Sequence, residues 1–176
     1  MELWIKKESK FELFREYKIV AASGDLGPKI REGDGQSPEG FYRVFPKQMN
    51  PHSSYHLAFN VGFPNQYDRV HGRTGSYLMV HGSYVSIGCY AMTDEKIEEI
   101  YTLCDAALRS GQKAIQVHAF PFRMTQENLV KHEKSPWHGF WLNLKQGYDF
   151  FERNKTPPTV TVKNKIYLFK WVYGSQ

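Results

Sequence analysis

Only two cysteines, Cys89 and Cys104, occur in the 176 residues, so the chain is not a small scaffold stapled by several disulfides. No apolar run approaches the ~18 residues that a membrane-spanning helix needs, and no span is expected. Lys and Arg outnumber Asp and Glu by 23 to 18. They are scattered rather than massed in blocks, which argues against a nucleic-acid-binding tail while leaving a mildly basic surface suited to an anionic polymer. The Gly-rich stretch 24–40 lacks the Gly-Lys-Ser/Thr of a phosphate cradle. His71, His81 and Cys89 have no fourth ligand at zinc-site spacing, so neither metal nor other cofactor is expected. Repeats and low-complexity segments are missing too. No secretory leader is expected within these residues, because Met1 runs straight into Glu2-Leu3-Trp4-Ile5, which already alternates like a strand. Two readings follow, a cytoplasmic protein or a trimmed mature form, and composition does not choose between them.

What is present fits one globular domain over residues 1–176, since this length buries a substantial core but is short for two ordinary domains. Residues 3–7 and 11–22 read as a hairpin. Glycines and prolines between 24 and 40 deny both helix and strand, which makes a long functional loop, a lid or brace. Strands are expected at 41–45, 55–60 and 76–81. A helix starts at Thr93 or Asp94 and stops at Gly111, with Ile97, Ile100, Tyr101, Cys104 and Leu108 on its apolar face. A strand at 113–119, a short helix at 126–132 and an aromatic-rich helix at 137–153 follow. Pro157-Pro158 precedes a hairpin of 159–162 and 165–172. The expected class is β-rich α+β.

The segment that carries chemistry is Val80-His81-Gly82-Ser83-Tyr84-Val85-Ser86-Ile87-Gly88-Cys89-Tyr90. A thiol becomes a nucleophile at neutral pH when a base or a positive field stands beside it, and histidine is the usual base. Gly88 lets backbone amides turn towards a carbonyl held at the sulfur, so the N–H groups of Gly88, Cys89 and Tyr90 are the expected oxyanion hole. The helix beginning a few residues later is expected to favour the thiolate through its N-terminal dipole. Taken alone, the pair has an equally simple reading, a buried cysteine beside a strand-end histidine. Cys104 is read as core packing.

Three segments add a resemblance. Ser86-Ile87-Gly88-Cys89 resembles the S-H-G-C signature of the L,D-transpeptidase (YkuD-like) catalytic domain. Leu78-Met79-Val80-His81-Gly82 resembles the strand that brings in that family's catalytic histidine, and Ser37-Pro38-Glu39-Gly40-Phe41 its T-P-x-G-x-F/Y segment. The YafK-like branch is the most similar, through Gly27-Pro28-Lys29, Gly33-Asp34, Phe63-Pro64-Asn65, Tyr67-Asp68-Arg69 and Gly147-Tyr148-Asp149. The resemblance implies a β-sandwich or barrel core with peripheral helices, a periplasmic location and action on peptidoglycan stem peptides. It also implies Cys89 as nucleophile, His81 as base and the Gly82 carbonyl as the group orienting the imidazole.

Two departures bear on activity. The histidine of the signature is Ile87 here, and the arginine usual two residues past the cysteine is Ala91. Arg69, Arg73 or Arg123 is expected to supply the missing charge for a substrate carboxylate. The wider family's spacing fits His71-Gly72 as well as His81-Gly82; His81 is preferred because it closes an apolar strand. His71 and Ser86 then belong with the substrate-binding residues. The branch that resembles this chain includes an amidase releasing a lipoprotein from meso-diaminopimelate. Amide hydrolysis is therefore the expected reaction, with L,D-transpeptidation and a non-catalytic peptidoglycan-binding module as alternatives.

Overall fold

A computed structural model describes residues 1–170. The final predicted strand, 165–172, thus lies partly outside the described residues. Along the chain run β1 (Glu2–Lys7), β2 (Lys10–Glu16), β3 (Gly40–Val44), β4 (Met49–Ser53), β5 (His56–Asn60), α1 (Gln66–Val70), β6 (Met79–His81) and β7 (Tyr90–Ala91). Then come α2 (Asp94–Arg109), β8 (Ile115–Ala119), α3 (Gln126–Lys131), α4 (His138–Asn154), β9 (Thr159–Lys163) and β10 (Ile166–Lys170). The class is the expected β-rich α+β. Among the described residues, the strands form one four-stranded sheet, β4-β5-β6-β7, and three antiparallel pairs, β1-β2, β3-β8 and β9-β10.

Two cores meet across β3. Successive strand residues point to opposite faces, and here Phe41 enters one core while Tyr42 and Val44 enter the other. The first core packs Phe59, Val80 and Met92 against Ile97, Ile100 and Cys104 of α2. That is the helix face expected from the 3.6-residue spacing. The second packs Trp141 and Leu144 of α4 with Met124, Leu129 and Tyr167. Asn65, which caps α1, fastens β3 to β10 within this second core. Its side-chain amide donates to the Phe41 carbonyl at 2.9 Å and to the Tyr167 hydroxyl at 2.8 Å.

Several expectations need correction. Residues 17–22 do not extend β2, although an isolated bridge joins Ala21 to Ala91. The strand expected at 76–81 is reduced to Met79–His81, because Tyr77 takes a left-handed φ of +54° that breaks extended geometry. Helix α1 and the strands β4 and β7 were not expected. Thr93 stands at the N-cap of α2 without capping it: its hydroxyl is buried with no partner, and φ is +79°.

The Gly-rich loop is ordered, and carboxylates order it. Asp34 accepts the N–H groups of Ile30, Arg31 and Gln36 at 2.8–3.0 Å and the ammonium of Lys29 at 2.6 Å. Glu39 accepts the Gly27 N–H at 2.9 Å and the Trp141 indole N–H at 2.8 Å. Turn-rich backbone that has no ladder partner is satisfied by side chains instead.

Candidate active site

The short parallel pairing of β6 with β7 sets the site. Val80 pairs with Tyr90 and His81 with Ala91, so Cys89, just before β7, stands beside Met79. His81 lies two residues further along the same strand, about 6.6 Å at the usual rise. The structure thus brings His81 and Cys89 into one neighbourhood. His81 is 3% exposed, and its Nδ1 lies 2.6 Å from the Gly82 carbonyl oxygen. A carbonyl only accepts, so Nδ1 carries the hydrogen and Nε2 is left as the basic lone pair. The peptide that follows is locked as well. Gly82 N–H points at the carbonyls of Tyr55 and Leu57, both at 3.1 Å, and the His81 carbonyl accepts from Met92 N–H at 2.9 Å.

The thiol's own hydrogen bonds go to backbone, not to the imidazole. Cys89 Sγ accepts from Met79 N–H at 3.4 Å and donates to the Tyr77 carbonyl at 3.6 Å. Half-burial pushes the Cys89 thiol upwards, and the pull of Met79 N–H and of the Lys29 charge in the other direction does not offset it. Burial at this site thus favours the protonated sulfur. At the start of α2, expected to favour the thiolate through its dipole, Asp94 Oδ1 accepts Ser83 N–H of the 82–83 turn at 2.8 Å.

The amide of Gly88, expected in an oxyanion hole, is already bonded to Ser23 Oγ, which in turn donates to the Gly35 carbonyl at 2.6 Å. Gly88 itself has φ +84°, and a Cβ there would stand 3.2 Å from the Gln36 carbonyl oxygen. The Gly-rich loop is therefore a brace packed on the residue before Cys89. Ser86 closes the turn by donating to the Cys89 carbonyl at 2.6 Å. Tyr90 is anchored through its hydroxyl to the Pro38 carbonyl at 2.7 Å.

The remaining candidates lie in other surroundings. His71 caps α1, stacks on Tyr67 at 4.3 Å and meets the Lys165 carbonyl at 2.8 Å. Arg73 is buried and paired with the fully buried Asp68 at 2.9 Å, with its guanidinium over the rings of Tyr67 and Phe140. Arg69 donates to the Pro64 carbonyl. Arg123 is held by Glu2 at 2.6 Å and Glu16 at 3.0 Å on the β1-β2 hairpin. Among the described residues, no group of three His, Cys, Asp or Glu side chains is placed to hold a metal. Sequence reasoning missed Lys29, the buried cation whose charge reaches the thiol, along with Ser23 and Tyr77. The only local signal was Lys29 and Asp34 sharing one Gly-rich segment.

Comparison with known proteins bears on the family and the fold. Residues 3–117 match the model of the YkuD L,D-transpeptidase catalytic domain. The chain is 51% identical over 168 residues to the YafK protein of Escherichia coli strain K12, covering 96% of this chain and 68% of that protein. Among solved structures it is similar to the helical cell shape determining protein Pgp2 of Campylobacter jejuni, with a TM-score of 0.52 and 20% identity over 93% of this chain and 68% of that one. A K307A mutant of Pgp2 gives the same score and identity, but there the match covers 85% of this chain and only about half, 51%, of the mutant chain. At that identity the likeness speaks for the fold alone. With more than half of the chain matched to the family model and a relative at this identity, the protein belongs to the L,D-transpeptidase catalytic domain family.

Proposed function

We propose that this domain is a periplasmic cysteine amidase that releases a lipoprotein from the meso-diaminopimelate of peptidoglycan stem peptides. The observation that carries the reading is the His81 Nδ1 contact with the Gly82 carbonyl, which leaves Nε2 as an acceptor two residues along β6 from Met79, whose N–H meets the Cys89 sulfur. In this reading Nε2 takes the Sγ proton as the sulfur attacks the diaminopimelyl carbonyl, and the amides of Cys89 and Tyr90 face the oxyanion. Imidazolium then gives that proton to the leaving amine of the attached protein, the C–N bond breaks, and a thioester remains. Water, deprotonated by the same nitrogen, cleaves the thioester to a carboxylate and restores the thiol. A thiol pushed upwards by burial suits this order, since proton transfer then accompanies attack.

Ala91 supports hydrolysis over cross-linking. It is fully buried and paired with His81, so the arginine usual at that position has no counterpart in the pocket. Around the thiol, Tyr77 and Ile87 stand 78% and 85% exposed, beside exposed Tyr84 and Val85. An extended peptide laid across the nucleophile would cover these side chains.

The test is to incubate the protein and Cys89→Ala with sacculi carrying linked lipoprotein and to analyse released products by mass spectrometry. Free lipoprotein that depends on Cys89 is the expected result. New diaminopimelate cross-links would establish the transpeptidase instead, and no Cys89-dependent change would leave a binding module.

A further inference from the structure

The turn between β4 and β5 presses Tyr55 against the imidazole of His81, with ring centroids 4.8 Å apart and planes 34° from parallel. The same residue reaches the base a second way. Its carbonyl accepts Gly82 N–H at 3.1 Å, and Gly82 supplies the carbonyl that meets His81 Nδ1. A Cβ on Gly82 would lie 2.7 Å from the Tyr55 carbonyl oxygen and 2.5 Å from Asp94 Oδ1. Position 82 is thus closed to any side chain.

Packing alone does not explain a tyrosine here. Tyr55 is 49% exposed and belongs to neither core, and its ring stacks on no aromatic group among the described residues except His81. The turn is nevertheless held tightly. Ser53 Oγ accepts Tyr55 N–H at 3.0 Å, and His56, at φ +69°, meets Glu98 at 2.7 Å. A solvent-facing turn has been built to lay one aromatic face on a buried histidine.

We infer that Tyr55 is a positioning residue for His81, holding the imidazole plane and stabilising the imidazolium formed when the thiol proton arrives. The inference rests on the reading of His81 as the base. An imidazolium in a site that is 3% exposed has few waters to solvate it, and the negative face of a tyrosine ring within ~6 Å supplies part of what water would. A leucine would cover the histidine equally well but carries no such quadrupole. The backbone carbonyl of residue 55 survives every substitution, so side-chain variants isolate the ring.

The test is the rate of Cys89 alkylation by iodoacetamide at neutral pH, read by peptide mass mapping for wild type, Tyr55→Phe, Tyr55→Leu and His81→Ala. Cys104, buried in the α2 core, stays unlabelled while the protein is folded and serves as an internal control. Tyr55→Phe is expected to keep the rate within about twofold, and Tyr55→Leu to slow it roughly three- to fivefold, the size of a partly desolvated cation–π contact. Equal rates for the leucine variant and wild type, with His81→Ala slow, would overturn the role of Tyr55 and leave the base intact. If His81→Ala alkylates as fast as wild type, both the base and the inference fall.

Discussion

Replacing Arg73 by methionine separates a guanidinium that builds the fold from one that waits for a substrate carboxylate. The Asp68 side chain is 0% exposed and that of Arg73 4%, with 2.9 Å between them. Asp68 also accepts the Tyr42 hydroxyl at 3.1 Å and the Asn65 N–H at 3.0 Å. Removing one partner of such a pair strands the other charge, at a cost of about 3–5 kcal/mol. Methionine keeps the apolar stem between Tyr67 and Phe140 but loses both cation–π contacts, at 5.1 and 4.9 Å. Burial already pushes the Asp68 carboxyl upwards, so the stranded group relieves part of the cost by taking a proton. For a chain of this size each kcal/mol moves Tm by roughly 2–4 °C, which gives a fall of about 6–20 °C. Thermal and urea melts followed by circular dichroism would measure it. The double variant Arg73→Met/Asp68→Asn should lose less than the sum of the two single changes. A variant melting within ~2 °C of wild type while losing substrate affinity would refute this reasoning and return Arg73 to the substrate-binding residues.

Lys29→Met removes the cation that pulls the Cys89 thiol down, so the pH profile of Cys89 alkylation should move to higher pH; no shift would show that its charge does not reach the sulfur. Gly147→Ala should destabilise by about 1–3 kcal/mol, despite a helix-propensity gain of ~1 kcal/mol, because a Cβ would sit 2.4 Å from both Phe41 Cζ and Phe169 Cε1; a raised urea midpoint would contradict the packing. Acid should loosen the Gly-rich loop. Burial raises the Asp34 carboxyl, but its bonds from Lys29 and from the N–H groups of Arg31, Ile30 and Gln36 outweigh it and hold the group at about 2. A depressed folded value means stability fully present above the unfolded ~3.9 and lost as pH falls through about 2. Hydrogen exchange of the Ile30, Arg31 and Gln36 amides should rise across that window in wild type, and unchanged protection would refute the assignment.

Much of the fold could be read from periodicity. Ile97, Ile100, Cys104 and Leu108 marked α2 because a helix buried on one face must repeat near 3.6 residues. The strand around His81 was placed correctly but overextended, because the left-handed turn at Tyr77 serves a tertiary contact with the thiol and has no local signature. Helix α1 escaped notice at five residues, although Asn65 and Asp68 form its capping box. Within the site, residue types pointed to Cys89, His81 and Gly82, whereas occupancy could not be read: a sequence displays the Gly88 N–H but not the Ser23 hydroxyl that engages it. Nor does it show that Arg73 is buried or that Lys29 lies near the sulfur, since both follow from how distant loops meet.

The bond between Ser23 and Gly88 makes the stretch before β3 a latch as well as a brace. Its position is written in a few side chains, Ser23, Asp34 and Gln36, that lie apart in sequence from both Cys89 and His81. The surroundings of the thiol are therefore set as much by this distant stretch as by the residues next to Cys89 in sequence. Substitutions at Ser23 would free the Gly88 amide beside Cys89, and substitutions at Lys29 would change the charge that bears on its sulfur.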